Sequence, residues 1–202
     1  MLSSLPINIE DLLHFHGVES ARVELKQSWD EKTTGVQVLK TICAFANDFY
    51  NVNGGYIIIG VKENEGLAIL PPLGLEPTML DKAQKWIRGH SQKLEPKAHF
   101  RLSPEIVEGR HLLVIWVPGS DDRPHQAPSG QNKQWAYYIR DGSQTLVAKG
   151  KILTDLLNLC AKIPYDDRRA SQFTLNDLRS VSYTHLRAHE TPEHLVCRLL
   201  LE

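Results

Sequence analysis

The sequence predicts an α+β fold: a single compact domain with a mixed, mostly antiparallel sheet flanked by helices. Three observations carry that expectation. Short apolar runs of strand character alternate in mixed order with segments of helical spacing. Glu108-Gly109-Arg110 joins two such runs as a hairpin with Gly at its tip. Asn53-Gly54-Gly55 leads from an amphipathic helix straight into a strand too apolar to face water.

Taken in order, Asn8-Ile9-Glu10-Asp11-Leu12-Leu13 has capping chemistry and an apolar Leu pair, so it starts a short helix that Gly17 stops. Residues 21–29 alternate, with Ala21, Val23 and Leu25 on one side and Arg22, Glu24 and Lys26 on the other, as in a half-buried strand. After a polar loop at 30–34, Val36, Leu39, Ile42, Cys43 and Ala46 recur at helical spacing up to Asn47. Asn51, Asn53, Gly54 and Gly55 supply turn chemistry. Ile57, Ile58 and Ile59 are a strand buried on both faces.

Glu63-Asn64-Glu65-Gly66 turns the chain, and Pro71-Pro72 leads toward a helix over about 79–93 with Leu80, Ala83, Trp86 and Ile87 on one stripe. Strands at about 99–107 and 111–117 follow, then a Pro- and Gly-rich loop at 119–134. A strand at 135–140, a turn at Gly142 and a helix at about 151–161 complete the domain. The expected organisation is a domain at 1–162, a linker at 163–181 toward a missing C-terminal region, and a non-native tail at 182–202.

Composition narrows the function classes. A chain of 202 residues with 42% apolar content can bury one real core. Cys43, Cys160 and Cys197 are widely spaced with no CxxC, which suits buried thiols in a reducing, cytoplasmic setting better than a disulfide framework or zinc site. The apolar runs at 56–61 and 112–117 are far too short to span a bilayer. A net charge of −1 means that any nucleic-acid contact has to come from a local basic patch.

The last 21 residues differ in character and hold His185, His189 and His194. With Cys197 they suggest a metal cluster, but Pro192 interrupts the helical pattern that would gather them. The segment resembles a translated sequencing-adaptor read-through, and such foreign stretches belong outside fold reasoning.

Several residues carry chemistry. Glu19 and Glu24, five positions apart, can share a divalent cation that activates water, or Glu24 can form a surface pair with Lys26 on the strand. Asn53-Gly54-Gly55 lacks the Gly-Lys-Ser/Thr ending and following helix of a phosphate loop, so its glycines read as turn residues. Tyr138 and Arg140 share a strand face, where an exposed pair would stack on bases and meet phosphate. Alternatively, Arg140 pairs with Glu24 across the sheet. Trp29 is a second stacking candidate, whereas Cys43 and Cys160 sit on apolar helix faces and read as core.

Three blocks together resemble the Schlafen AlbA-type domain over about residues 19–178. They are Val23-Glu24-Leu25-Lys26, the run from Cys43-Ala-Phe-Ala-Asn to Tyr56-Ile-Ile-Ile-Gly-Val61, and Tyr137-Tyr138-Ile139-Arg140-Asp141-Gly142-Ser143. Arg123-Pro124-His125 matches a further family element. The resemblance implies a nucleic-acid-binding domain, DNA or RNA, of a transcriptional regulator or helicase-like protein. Phosphate contacts at Lys26, Arg140 and Lys149 follow from that reading.

Schlafen nucleases also use an acid, a second acid five residues on in a Glu-x-Lys context, and an Asp after the second strand's Gly-Val. Glu19, Glu24 and Lys26 match the first elements, but Lys62 occupies the position of the last acid, with Glu63 as the nearby substitute. A ribonuclease dependent on Mg2+ or Mn2+ and using Glu19, Glu24 and Glu63 is therefore the alternative. A regulatory protein-interaction module is the third reading, and a homodimer is left open. The family's inherited ATP-binding label finds no Walker lysine in residues 1–180.

Overall fold

The computed structural model describes residues 5–14, 21–129 and 134–161, without the side chains of Cys160 and Ala161. Gly17, Glu19, the linker at 163–181 and the tail at 182–202 with its histidines and Cys197 lie outside the described residues.

The elements run α1 (Ile9–His14), β1 (Val23–Lys26), α2 (Val36–Asn47), β2 (Gly55–Ile59), β3 (Glu63–Asn64), β4 (Leu67–Ala68), α3 (Pro77–His90), β5 (Arg101–Val107), β6 (Arg110–Val117), β7 (Gln126–Pro128), β8 (Trp135–Asp141), β9 (Gln144–Val147) and α4 (Gly150–Ala161). This is the α+β class that the pattern predicts. The strands form a four-stranded sheet ordered β1-β2-β6-β5, a three-stranded sheet ordered β7-β8-β9, and the small β3-β4 hairpin. Among the described residues only β1 and β2 pair in parallel.

Both faces of the larger sheet are covered, which explains the unbroken isoleucine run. Ile57, Ile59, Leu113, Ile115 and Val117 join Ile42, Phe45 and Ile87 in one cluster. Tyr56, Ile58, Leu112 and Val114 pack under Leu5, Ile9 and Leu13 on the opposite face. Ile57, Ile58 and Ile59 are wholly buried. Truncating one to Ala costs about 2–5 kcal/mol, from lost transfer energy plus the cavity left behind.

Every residue of α2 from Val38 to Asn47 except Lys40 is buried. The helix touches β2 and β6 of the larger sheet and all three strands of the smaller one. Its small side chains, Cys43, Ala44 and Ala46, permit that close approach.

Three local features depart from the sequence expectation. The loop at 30–34 is a π-helical turn, Glu31–Gly35, whose start is capped by the Asp30 carboxylate accepting from the Lys32 and Thr33 N–H groups. β7 lies in the loop at 119–134, and β9 follows the Gly142 turn; both are short strands held by pairing to β8. The segment at 63–68 closes as the β3-β4 hairpin. No helix among the described residues is long and apolar enough to cross a membrane.

Candidate nucleic-acid interface

β1 is an edge strand of the larger sheet, with Glu24 opposite Ile57 and Lys26 opposite Ile59. Those two side chains therefore leave the face that packs on α2, whereas Val23 and Leu25 join the N-terminal cluster. On β8 the alternation sends Tyr138 toward α2, and Tyr137 and Ile139 toward Leu153 and Leu156 of α4. Arg140, two positions after Tyr138, shares the α2-facing side and lies with its guanidinium carbon 5.5 Å from the Phe45 ring centroid.

The two strands meet through charge. Arg140 Nη1 lies 2.5 Å from Glu24 Oε2. The same guanidinium donates to the Val23 carbonyl at 3.3 Å and to Thr145 Oγ1 at 3.2 Å. Lys26 Nζ takes the other carboxylate oxygen of Glu24 at 2.5 Å. Side-chain exposure is 7% for Arg140, 12% for Glu24 and 25% for Lys26, so the trio is largely out of water. Arg140 is thus a tie between the two sheets, as the cross-sheet pairing alternative requires. Reaching a phosphate would mean abandoning those partners, which differs from a free phosphate contact. Both oxygens of Glu24 face cations, an environment that opposes a divalent ion at the same carboxylate.

The other sequence candidates fall in varied places. Trp29 is not an exposed stacking ring: it is 6% exposed and packs edge-on against Trp86 with centroids 5.6 Å apart. β1 ends at Lys26, and the irregular segment before the π-helical turn places the indole in the core beside α3. Tyr138 is likewise buried at 3% exposure, and burial pushes its phenol up from the ordinary value. Its strand face, expected to be open, is the one covered by α2.

Lys149 is exposed between β9 and α4. Glu63 is exposed on β3. Among the described residues no three His, Cys, Asp or Glu side chains gather into a metal-binding group, and Glu19 is outside that set. Gly54 adopts φ +73°, and a side chain there would strike the Val117 carbonyl; at Gly55 it would strike the Phe45 ring. Gly142, φ +53°, makes the β8-β9 turn with open space around it.

A buried polar hub escapes sequence reasoning. The Asn47 side chain accepts from the His125 N–H at 2.6 Å and donates to the carbonyls of Tyr138 at 2.7 Å and His125 at 3.0 Å. It thereby fastens α2 to β8 and to the segment entering β7. His125 is fully buried, and its Nδ1 lies 2.7 Å from the Pro96 carbonyl, which can only accept, so Nδ1 carries the proton. Burial pulls the His125 imidazole below its usual range, opposed by that same carbonyl. Burial also pushes the Cys43 thiol up to about 12. Both side chains are interior parts of the fold. Asn47 and His125 both fall in the family blocks of the sequence, but nothing in the sequence shows that they meet.

A second charged region was legible in composition but carried no expectation. Residues 82–101 hold Lys82, Lys85, Arg88, Lys93, Lys97 and Arg101 against the single acid Glu95, a surplus of +5 in a chain of net charge −1. All six cations are exposed. Lys82, Lys85 and Arg88 recur at three-residue steps on the side of α3 opposite buried Leu80, Ala83 and Ile87. Among the described residues none of these three has an acidic ion-pair partner.

Residues 19–149 match the model of the family described as Schlafen, AlbA_2. The fold is also similar to two solved structures. One is the DIP2311 protein from Corynebacterium diphtheriae, at 16% identity and TM-score 0.48, matching 87% of this chain and 37% of that one. The other is the N-terminal domain of an ATP-dependent DNA helicase RecG-related protein from Nitrosomonas europaea, at 31% identity and TM-score 0.44, matching 63% of this chain and 83% of that one. The chain thus spans little more than a third of the Corynebacterium protein's length. No curated protein matches it.

Proposed function

We propose a nucleic-acid-binding function on the premise that the chain belongs to the Schlafen AlbA_2 family, whose model it matches over residues 19–149. In this reading the exposed cations of α3, Lys82, Lys85 and Arg88, contact the sugar-phosphate backbone. Lys149 is an outlying contact, Lys26 stays on the Glu24 carboxylate, and Arg140 holds the two sheets in place behind them. Backbone contacts of this kind position a protein on a strand without reading sequence. The domain would serve a transcriptional regulator or a helicase-like protein as its docking module.

The observation that carries the reading is the surplus of +5 in residues 82–101, of which Lys82, Lys85 and Arg88 have no acidic ion-pair partner among the described residues. Cations that already have acidic partners gain little by exchanging them for phosphate. Cations facing only water and mobile counterions gain the entropy of counterion release. A protein of overall charge −1 with six of its 23 Lys and Arg, against one acid, in residues 82–101 has a local patch of the kind that binding needs.

The test is fluorescence anisotropy of labelled 20-mer strands across a salt series. Affinity is expected to fall linearly on logarithmic axes, and Lys82→Glu/Lys85→Glu is expected to lower the slope by about 2. Affinity indifferent to salt, or a double variant that binds like the parent, overturns the reading. Adding Mn2+ or Mg2+ to an RNA substrate in the same assay examines the nuclease alternative: cleavage abolished by Glu24→Gln would favour it.

A further inference from the structure

A cleft without an assigned role lies where the end of α3 meets the start of β5. It is open to solvent and offers about 520 Å3, within the range of roughly 300–1,000 Å3 that small ligands occupy. Arg88, Gln92, Lys97 and His99 supply its polar wall, and Phe100 and Leu102 its apolar one. No acid lines it.

The walls are built by the fold. A 3-10 turn, Ser91–Lys93, ends α3, with the Ser91 hydroxyl donating to the Arg88 carbonyl at 3.0 Å and Leu94 buried below. Phe100 and Leu102 pack against the main core cluster, which fixes the floor in place. Arg88 belongs both to the cleft and to the cationic stripe of α3, so the cleft continues that stripe.

We infer that this cleft seats one nucleotide of an unpaired strand, its phosphate toward Arg88 and Lys97 and its base against Phe100. A nucleotide has the same division as the cleft: an anionic end, a hydrogen-bonding middle and a flat apolar end. In a duplex, both faces of every internal base are stacked, and only the backbone is presented. An unpaired base has a free face for an aromatic ring, and such stacking tolerates any base. Gln92 and His99 sit where sugar hydroxyls or base edges can hydrogen-bond. The inference rests on the nucleic-acid reading above and adds a preference for unpaired strands.

The experiment uses the full chain and four labelled probes: a 20-mer single strand, its duplex, an abasic strand of equal length, and a nucleoside monophosphate. The single strand is expected to bind more tightly than the duplex. Phe100→Leu, which keeps apolar volume but removes the ring, should weaken the single strand roughly tenfold and leave the abasic strand unchanged. The exposed pair Lys97→Ala/His99→Ala should weaken the single strand more than the duplex; it provides the readout if Phe100→Leu lowers the melting temperature. Equal losses for single strand and duplex, or no loss for either, overturn the inference. A monophosphate that binds as tightly as the strand also overturns it, because the ligand is then a free nucleotide. If Lys82→Glu/Lys85→Glu changes binding to neither strand form, the broader reading fails instead.

Discussion

At the junction of β1 with β8, two cations close on one carboxylate and lose most of their contact with water; along α3, three cations face solvent and, among the described residues, form no ion pair with an acid. The side chains are chemically alike, yet their surroundings give them different work. Arg140 gives up hydration for Glu24, a backbone carbonyl and a hydroxyl, so its charge is spent inside the protein. Lys82, Lys85 and Arg88 keep theirs available. A family motif arginine is therefore an architectural tie, while cations outside any motif carry the proposed contact.

The contrast can be broken most sharply at Arg140. Arg140→Ala leaves Glu24 poorly solvated with Lys26 as its remaining ionic partner; an uncompensated buried charge costs about 3–5 kcal/mol, which is the upper bound here. Urea unfolding should show that loss; a change below about 1 kcal/mol would mean the junction is no tie. Asn47→Ala comes next. It leaves the His125 N–H and two carbonyls short of partners, an expected cost of about 2–3 kcal/mol in the same assay.

His125 gives a pH-dependent prediction. Its folded pKa lies below the ordinary 6.5, chiefly because burial penalises the charged ring. The unfolded chain thus takes up a proton that the folded chain refuses. Stability is complete above 6.5 and falls as pH drops through that value toward the folded one. The contribution is at most one proton's worth, about 1.4 kcal/mol per pH unit. Comparing melting curves of the parent and His125→Asn between pH 7 and 5 checks it, and equal slopes would refute it.

The smallest stability effect belongs to the other half of the comparison. Lys82→Glu/Lys85→Glu should change unfolding energy by no more than about 0.5 kcal/mol, because nothing inside the fold depends on those charges. If this double variant were as destabilising as Arg140→Ala, the two regions would not differ in kind.

Much of this architecture is written locally. The helical spacing of 36–47 and the unbroken apolar runs in 55–59 and 110–117 each suffice for their element, since the buried stripe or run lies within the segment itself. The three motif blocks sufficed for the family for the same reason. β7 and β9 have only three and four residues and exist as strands because β8 supplies their hydrogen bonds, so nothing within them announces the pairing.

The candidate site divides along the same line. Alternation in β1 and β8 places Glu24 and Lys26 together, and Tyr138 with Arg140, but it cannot tell which element covers a face. Only the packed structure decides that α2 covers this one, burying Tyr138 and Arg140, and that the segment after β1 places Trp29 in the core. Side-chain direction follows from backbone geometry a few residues long. Burial follows from which distant segment lies across the face, and that is decided by the joint packing of the chain.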